Sequence, residues 1–256
     1  MASMDRLRVR DLVDNPTSRV PVVLCLDTSG SMNAVDGDDV HYTGETVFSD
    51  GKMWNVVEGG TTRLEQLRDG INMFLQDIRE DDLAQFAAEV CIVTFDSQAR
   101  CLVDFSTVDH LNDIPELEAN EDTHMGEGVN LALDLLEKRK KEYKEKGVDY
   151  YQPWLVLMTD GEANGDQSEL ERAIERTNTL IQNKKLTIFP IGIGEEAGMQ
   201  TLAKFSPKRS PLRLKKLKFR EFFAWLSDSV SRTSQSMLGE SVHLDTEAIK
   251  GWGTLD

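Results

Sequence analysis

The stretch LCLDTSGSM, residues 24–32, changes character abruptly at its fourth residue. The apolar run that leads into it stops at Asp27, and three hydroxyl residues and a glycine follow. The stretch PWLVLMTD, residues 153–160, is also an apolar run and also ends on an aspartate, Asp160. Apolar packing gives no reason for this change, because a carboxylate that leaves water needs a partner. The two strand-like runs therefore indicate a chemical role for the residues at their ends.

The side chains at these strand ends form a set of hard oxygen donors. In an open α/β sheet, ligands bind beyond the carboxyl ends of the strands, where Asp27 and Asp160 are predicted to lie. Two carboxylates that face one crevice repel each other unless positive charge lies between them. Ser29 and Ser31 follow Asp27 closely, and Thr123 precedes a predicted helix. Two carboxylates and three hydroxyls suit Mg²⁺, which prefers octahedral oxygen ligands; Mn²⁺ and Ca²⁺ are alternatives.

The same residues could have other roles, and the sequence argues against the enzymatic ones. Asp27 can cap the following helix without any further role. An aspartyl phosphotransferase needs a second aspartate two residues later, where Ser29 stands, so metal-assisted phosphoryl transfer is the weakest hypothesis. A hydrolase serine needs a Gly-x-Ser-x-Gly frame, which neither Ser29 nor Ser31 has. His124 lacks an identified carboxylate partner, and a structural role is favoured over a catalytic one.

Short apolar strands alternate with amphipathic helices along the chain, which is the pattern of an α/β fold. The alternation predicts a Rossmann-like, mostly parallel central sheet with one antiparallel edge strand and helices on both faces. Besides the strand that ends at Asp27, strands are predicted over residues 88–95, 99–105, 153–160 and 186–193, and an edge strand is predicted within PLRLKKL, residues 211–217. Helices are predicted from the capping box Thr62–Glu65 to Arg79 and over residues 128–144, 168–183, 197–205 and 219–235.

The predicted domain organisation is an N-terminal segment (1–19), one domain (20–236) and a C-terminal tail (237–256). Residues 33–60 interrupt the alternation and are interpreted as an inserted loop with a small hairpin, since FSDGKMW carries an Asp-Gly turn. Asp36, Asp38 and Asp39 in this insertion do not have the spacing of an EF-hand loop, which favours a solvated loop over a second cation site.

The composition excludes several classes of function. The chain of 256 residues has a formal net charge of -16, which argues against a nucleic-acid partner, because DNA binding depends on neutralising phosphates. No stretch approaches the roughly 18 apolar residues of a membrane span, and the first twenty residues lack the apolar core of a signal peptide. We therefore expect a cytoplasmic protein with no membrane partner. The three cysteines agree, since Cys25 and Cys91 fall inside apolar runs, where packed thiols are usual.

The spacing of the oxygen donors resembles the metal-ion-dependent adhesion site (MIDAS) of von Willebrand factor A (vWA) domains. The residues that carry the resemblance are Asp27, Ser29, Ser31, Thr123 and Asp160, the last within MTDGE. The resemblance covers roughly residues 20–236. It implies that Ser29 and Ser31 bind the ion directly, that the two aspartates act through water or hold the hydroxyls, and that Thr123 binds directly or through water. The family usually has two glycines before the threonine, where this chain has Glu121 and Asp122.

The stretch FREFFAWLSDSVSRTSQS, taken with DTSGSM and MTDGE, is similar to the bacterial intracellular tellurium-resistance-associated (TerY-like) vWA proteins. That resemblance implies a non-enzymatic, Mg²⁺-dependent protein-interaction module whose ion is completed by an Asp or Glu of a protein partner. It further implies a stress-response setting, tellurium resistance or phage defence, with a kinase and a PP2C-type phosphatase of the same system. The alternative is a structural or regulatory subunit whose metal site is self-liganded, for instance by Asp122. Such a subunit would dock partners through its basic segment, residues 208–220.

Overall fold

The structure, a computed structural model, describes residues 12, 14–36, 40–49, 52–111, 114–194, 197–207, 209–214, 218–237 and 253–255. Its strands are β1 (Val20–Asp27), β2 (Val35–Asp36), β3 (His41–Ser49), β4 (Lys52–Glu58), β5 (Thr61–Thr62), β6 (Ala88–Phe95), β7 (Ala99–Thr107), β8 (Trp154–Thr159), β9 (Thr187–Ile193), β10 (Leu212–Leu214) and β11 (Gly253–Leu255). Its α-helices are α1 (Arg63–Glu80), α2 (Ala84–Ala87), α3 (Met125–Lys146), α4 (Gln167–Gln182), α5 (Met199–Phe205) and α6 (Phe219–Gln235).

Seven strands form one sheet in the order β11–β10–β9–β8–β1–β6–β7. β1 lies inside this sheet and pairs in parallel with β6 on one side and β8 on the other. Every residue of β1, β6 and β8 is buried, which explains why these strands read as nearly unbroken apolar runs. The parallel pairing brings the carboxyl ends of β1, β6 and β8 to one edge of the sheet.

Helices cover both faces of the sheet, as predicted. Side chains alternate along β1, so that Leu24 and Leu26 pack into one apolar layer and Val23 and Cys25 into the other. The first layer is completed by α1 and α6, and the second by α3, α4 and α5. The capping box predicted at the start of α1 is present, with reciprocal hydrogen bonds between Thr62 and Glu65. The predicted α/β class is confirmed.

The two edges of the sheet differ from each other and from the prediction. The predicted antiparallel edge strand is β7, which pairs with β6. On the other side of the sheet, the strand predicted within PLRLKKL (211–217) is present as β10. The prediction that it is an edge strand is wrong, because β11 pairs with it in antiparallel orientation. β11 has only three residues and belongs to a segment without periodicity, so no pattern in the sequence marks it. The predicted division into 1–19, 20–236 and 237–256 stays a prediction.

The insertion contains the predicted hairpin, which is formed by β3 and β4 and is a two-stranded sheet of its own. The pairing runs to Ser49 and Lys52, and the predicted Asp-Gly turn, residues 50–51, lies outside the described residues. A short ribbon of β2 and β5 joins the hairpin to the start of α1. Asp38, Asp39 and the side chain of Asp36, considered above as a second cation site, also lie outside the described residues.

A buried charged cluster lies at the opposite end of the parallel strands from Asp27. Glu89 in β6 is fully buried and accepts hydrogen bonds from Arg19 Nε at 3.0 Å and from Arg139 Nε at 2.7 Å. The Tyr143 hydroxyl also donates to Glu89. Burial, followed by the charge of Glu89, raises the pKa of Tyr143 well above its usual value, so this hydroxyl stays a donor. One carboxylate thus binds two arginines and connects the start of β1 to α3.

Cys25 and Cys91 are buried thiols, as predicted. Burial raises the pKa of Cys25 far above its usual value, which keeps the thiol protonated and unreactive. Of the helices in the described residues, none is both long enough and apolar enough to cross a bilayer.

We expect Glu89→Gln to lower the free energy of unfolding by about 3–5 kcal/mol, because it leaves two buried guanidiniums without their shared carboxylate. Glu142→Gln is the matched control, since Glu142 contacts the same Arg139 at 2.6 Å from a partly exposed position. That substitution should cost less than about 1 kcal/mol. Urea unfolding at pH 7 measures both variants. Equal losses of unfolding free energy would show that the burial of Glu89 does not determine how much the cluster stabilises the fold.

Candidate metal centre

The two aspartates singled out in the sequence lie at the ends of neighbouring parallel strands. Leu26 is paired with Met158, so Asp27, the last residue of β1, and Asp160, just after β8, leave the sheet side by side. Both carboxylates are buried. The polar ends of two apolar strands are therefore brought to one crevice, as the sequence predicted.

The turn after β1 is organised by Asp27 and Asp160 together. The Ser29 backbone N–H donates to Asp27 Oδ1 at 2.7 Å, which fixes the turn against the strand that it leaves. The Ser29 and Ser31 hydroxyl oxygens are 3.1 Å apart, and the Ser31 hydroxyl donates to Asp160 Oδ1 at 2.6 Å. Ser31 thus connects the two strand ends, and both hydroxyls lie between the two carboxylates.

The electrostatics of this pair are unfavourable for two charged groups. Burial, followed by repulsion from Asp160, raises the pKa of Asp27 to about 7, although hydrogen bonds from Ser29 and Thr159 act to lower it. Thr159 contributes its hydroxyl, which donates to Asp27 Oδ2. Positive charge placed between the two carboxylates would relieve the repulsion. The geometry and the charge at this crevice both favour a cation.

Arg63 is a residue at this crevice that the sequence did not reveal. Its Nη1 donates to Asp160 Oδ2 at 2.8 Å, and its side chain is only 17% exposed. Its backbone N–H donates to Ala34 O at 3.0 Å, which ties the first residue of α1 to the turn after β1. Arg63 therefore supplies one positive charge to Asp160 from the far side of the inserted segment.

Thr123 reaches the same crevice from the loop before α3. Its backbone N–H donates to Asn164 Oδ1 at 2.7 Å, and its carbonyl accepts from the Asn164 N–H at 3.2 Å. A Cβ on Gly161, the residue after Asp160, would lie 4.0 Å from Thr123 Oγ1. The Thr123 hydroxyl is therefore beside the end of β8. The structure thus brings Asp27, Ser29, Ser31 and Asp160 into one hydrogen-bonded group and places Thr123 beside the residue that follows Asp160.

Asp96, at the end of β6, supports the site without belonging to the predicted set. Its Oδ2 accepts from Arg100 Nη1 at 2.6 Å, from Asn120 Nδ2 at 3.1 Å and from Thr28 Oγ1 at 3.3 Å. Burial acts to raise the pKa of Asp96, but bonds from Arg100, Gln98 and Asn120 outweigh it, and the pKa is below its usual value. Asp96 therefore stays charged and joins three loops. The one signal in the sequence that could have identified it is its position directly after an apolar strand, as for Asp27 and Asp160.

Glu121 and Asp122, which depart from the usual family pattern, lie at the exposed rim of the crevice. Asp122 is exposed, and its carboxylate accepts from Ser97 Oγ at 3.3 Å and from Asn164 Nδ2 at 3.5 Å. The carbonyl of Glu121 accepts from the Gly30 N–H at 3.2 Å. His124 Nδ1 lies 3.5 Å from Glu127 Oε1, so the histidine contacts the first turn of α3.

The donor set fits a hard divalent cation. Within the described residues, no group of three or more His, Cys, Asp and Glu side chains is arranged to hold a metal ion. Any cation here must therefore use hydroxyls and water as well as the two carboxylates. This is the ligand chemistry that Mg²⁺ accepts, because it keeps several waters and needs only one or two carboxylates.

Comparison with known proteins identifies the family to which this chain belongs. The sequence profile of the von Willebrand factor type A domain matches residues 22–163, which include the turn after β1, Thr123 and Asp160. The chain belongs to the von Willebrand factor type A domain family. A search with the sequence among curated proteins found no match.

Solved structures share the fold at low identity. A von Willebrand factor type A protein from Catenulispora acidiphila superposes with a TM-score of 0.55 at 17% identity, covering 84% of this chain and 43% of that one. The PilB minor pilin from Streptococcus sanguinis gives 0.54 at 14% identity, with coverage of 85% and 62%. The SpaC pilus adhesin from Lactobacillus rhamnosus GG gives 0.59 at 13% identity, with coverage of 84% and 31%. The chain thus spans less than two thirds of each of these proteins, and the likeness concerns the fold alone.

We expect Arg63→Gln, measured in EDTA, to lower the free energy of unfolding by about 1–3 kcal/mol, because buried Asp160 loses a charged donor. Arg68→Gln removes the same charge from the same helix. It should cost less than about 1 kcal/mol, since Arg68 forms its ion pair with the exposed Glu116, at 3.7 Å. Chemical denaturation of both variants measures the difference. A loss for Arg68→Gln as large as that for Arg63→Gln would contradict a specific role for the Asp160 pair.

Proposed function

We propose that this vWA domain is a non-enzymatic, Mg²⁺-dependent protein-interaction module. Asp27, Ser29, Ser31, Thr123 and Asp160 would hold the ion, and an Asp or Glu of a partner protein would complete its ligands. The observation that carries the proposal is Ser31, whose hydroxyl contacts Ser29 and Asp160 and so gathers hydroxyls between two buried carboxylates. A hard cation at that point would interact favourably with every one of these oxygens.

The hydrogen bonds support a division of roles among the five residues. Both oxygens of Asp27 already accept hydrogen bonds, from the Ser29 N–H and the Thr159 hydroxyl, which suits a residue that positions the turn and adds charge. Ser29 and Ser31 present hydroxyl oxygens with short side chains and little conformational freedom, which suits direct ligands. Bound Mg²⁺ supplies a Lewis-acidic position at which a carboxylate replaces water.

We further propose a bacterial, cytoplasmic setting like that of the TerY-like vWA proteins. The support is the resemblance of DTSGSM, MTDGE and the α6 segment to that group. Such a setting would connect the domain to tellurium resistance, phage defence or another stress response. A protein kinase and a PP2C-type phosphatase of the same system are the partners that the resemblance suggests.

A second candidate function is a structural or regulatory subunit with a self-liganded metal site. Asp122 does not favour it, because its carboxylate is engaged with Ser97 and Asn164 at the rim. The basic segment, residues 208–220, is the docking surface that this alternative requires. Two of its charges are used internally, since Arg209 lies 5.0 Å from the centre of the Phe189 ring and Arg213 donates to Gly194 O at 2.8 Å.

We expect Mg²⁺ at about a hundred times its Kd to raise the free energy of unfolding by about 2.7 kcal/mol, because it binds only the folded chain. The double variant Ser29→Ala, Ser31→Ala should lose this stabilisation while keeping its fold in EDTA. Ser97→Ala, which removes a hydroxyl from the neighbouring loop, is the control and should respond as the wild type does. Unfolding in Mg²⁺ and in EDTA measures the effect, and equal stabilisation of the double variant would rule out the proposed ligands.

We expect a partner in lysate of the source organism to be retained by the wild type in Mg²⁺ only. Asp27→Ala and the double serine variant should not retain it, and neither should the wild type in EDTA. Pull-down with identification by mass spectrometry makes the measurement. A partner that survives both EDTA and the substitutions supports the second function. Charge reversal at Lys215 and Lys216, which lie outside the described residues, would then test the basic segment.

A further inference from the structure

Two thiols meet across the antiparallel pair of strands β6 and β7. Cys101 in β7 is the ladder partner of Val93, so the two side chains leave the same face of the sheet. Cys91 lies two residues before Val93 on β6 and packs in the same apolar layer. The thiols of Cys91 and Cys101 are in hydrogen-bond contact. The fold therefore places two sulfur atoms beside each other on neighbouring strands.

The two thiols differ in their access to solvent and in how firmly they hold a proton. Cys91 is buried and Cys101 is exposed. The hydrogen bond with Cys101, followed by burial, raises the pKa of Cys91 well above its usual value. A hydrogen bond that raises the pKa of a thiol keeps the proton on that thiol, so Cys91 donates and the Cys101 sulfur accepts. A small oxidant from solvent thus meets Cys101 first, with a protonated thiol directly behind it.

The ladder between β6 and β7 is irregular at this pair. Its register shifts between Val90 and Ile92 and again between Ile92 and Val93, so both irregularities adjoin Cys91. In a regular ladder, diagonal cross-strand neighbours have Cα atoms about 7–8 Å apart. Most disulfides need Cα atoms about 4.4–6.8 Å apart. Bulges bend a strand and redirect its side chains, which lets the two sulfurs approach closely here.

Cys25 lies in the same apolar layer but on the far side of Cys91. It belongs to β1, and β6 stands between β1 and β7 in the sheet. Cys25 is the ladder partner of Val93, two residues from Cys91 along β6. It is buried, unlike Cys101. The chain therefore contains a thiol in the same layer that can serve as a comparison for the pair.

We infer that Cys101 and Cys91 form a site of oxidation by hydrogen peroxide that closes to a disulfide. The thiolate sulfur of Cys101 attacks one peroxide oxygen, the O–O bond breaks, and Cys101 becomes a sulfenic acid. The departing hydroxide takes up the proton that Cys101 had lost. The sulfur of Cys91 then attacks the Cys101 sulfur, and the S–O bond breaks. The hydroxide leaves as water with the Cys91 proton, so the two thiols have given two electrons to the peroxide.

The disulfide would cross-link the strand pair that reaches the candidate metal centre. Arg100, the neighbour of Cys101, donates to Asp96 at 2.6 Å, and Asp96 follows the last residue of β6. A bond between Cys91 and Cys101 would hold β7 against β6 at the bulges. The inference does not depend on the proposed metal-dependent function, because neither thiol is among the five candidate ligands.

Peptide mapping of the whole chain after treatment with hydrogen peroxide tests the pair. The reduced wild type in EDTA is exposed to a small excess of peroxide, quenched in acid, alkylated and digested with trypsin without reductant. Cleavage after Arg100 places Cys91 and Cys101 in separate peptides. We expect mass spectrometry to find these two peptides joined, and dithiothreitol to separate them. Cys25→Ala is the matched control and should form the same cross-link.

Two further variants test the roles assigned to the thiols. In Cys91→Ala, oxidation should stop at the sulfenic acid of Cys101, which dimedone labels. In Cys101→Ser, Cys91 should stay reduced, because the residue that peroxide meets first is gone. Cys91 oxidised in that variant as fast as in the wild type would contradict the assigned order.

The decisive map is that of the wild type, so it does not depend on the folding of any variant. A cross-link between Cys25 and Cys91, or a disulfide that joins two chains through Cys101, would overturn the inference. Sulfinic acid at Cys101 of the wild type without a cross-link would overturn it too, and so would three thiols that all stay reduced.

Discussion

The repulsion between two buried carboxylates is the constraint on which the site depends. Parallel pairing of β1 and β8 makes it unavoidable, because it brings Asp27 and Asp160, which are both buried, to the same end of the sheet. Hydroxyls of Ser31 and Thr159 and the guanidinium of Arg63 donate hydrogen bonds to these carboxylates. Hydrogen bonds from neutral hydroxyls lower the cost of each charge, but a positive charge is needed to offset the repulsion while both carboxylates stay ionised.

The loops around the site are tied to one another rather than only to the strands that carry them. The Asn120 N–H donates to Thr28 O at 2.9 Å, and the Gly30 N–H donates to Glu121 O at 3.2 Å. Asp96 binds Thr28 and Asn120, which joins both loops to the end of β6. Oxygens that are already held in place lose little freedom when they bind an ion, so these loops would be preorganised for the proposed ion.

The part of this architecture that follows from local pattern was predictable. Buried parallel strands read as apolar runs, and an aspartate at the end of such a run is conspicuous, so the sheet and the pair Asp27 and Asp160 could be predicted together. Arg63 could not, because its partner Asp160 is 97 residues away and nothing about the first residue of a helix predicts a distant contact. β11 was missed because three residues carry no period. A cavity of about 810 Å³ beside the site is lined by residues of the hairpin, such as Tyr42 and Val57, together with Ser31 and Arg63. It depends on how the hairpin lies against other loops, which no single segment encodes.

Arg63 and a divalent ion would act on the same carboxylate, and this has a consequence for binding. Without the ion, the charge of Arg63 is largely committed to Asp160, at 2.8 Å. With the ion held as proposed, Asp160 is neutralised twice, and the surplus positive charge faces the cavity that Arg63 lines. An incoming carboxylate would then meet both the ion and this surplus charge, whereas an apolar side chain alone would gain from neither. Under the proposed function, metal binding and acidic-ligand binding would in this way be coupled through one guanidinium, since each would make the other more favourable.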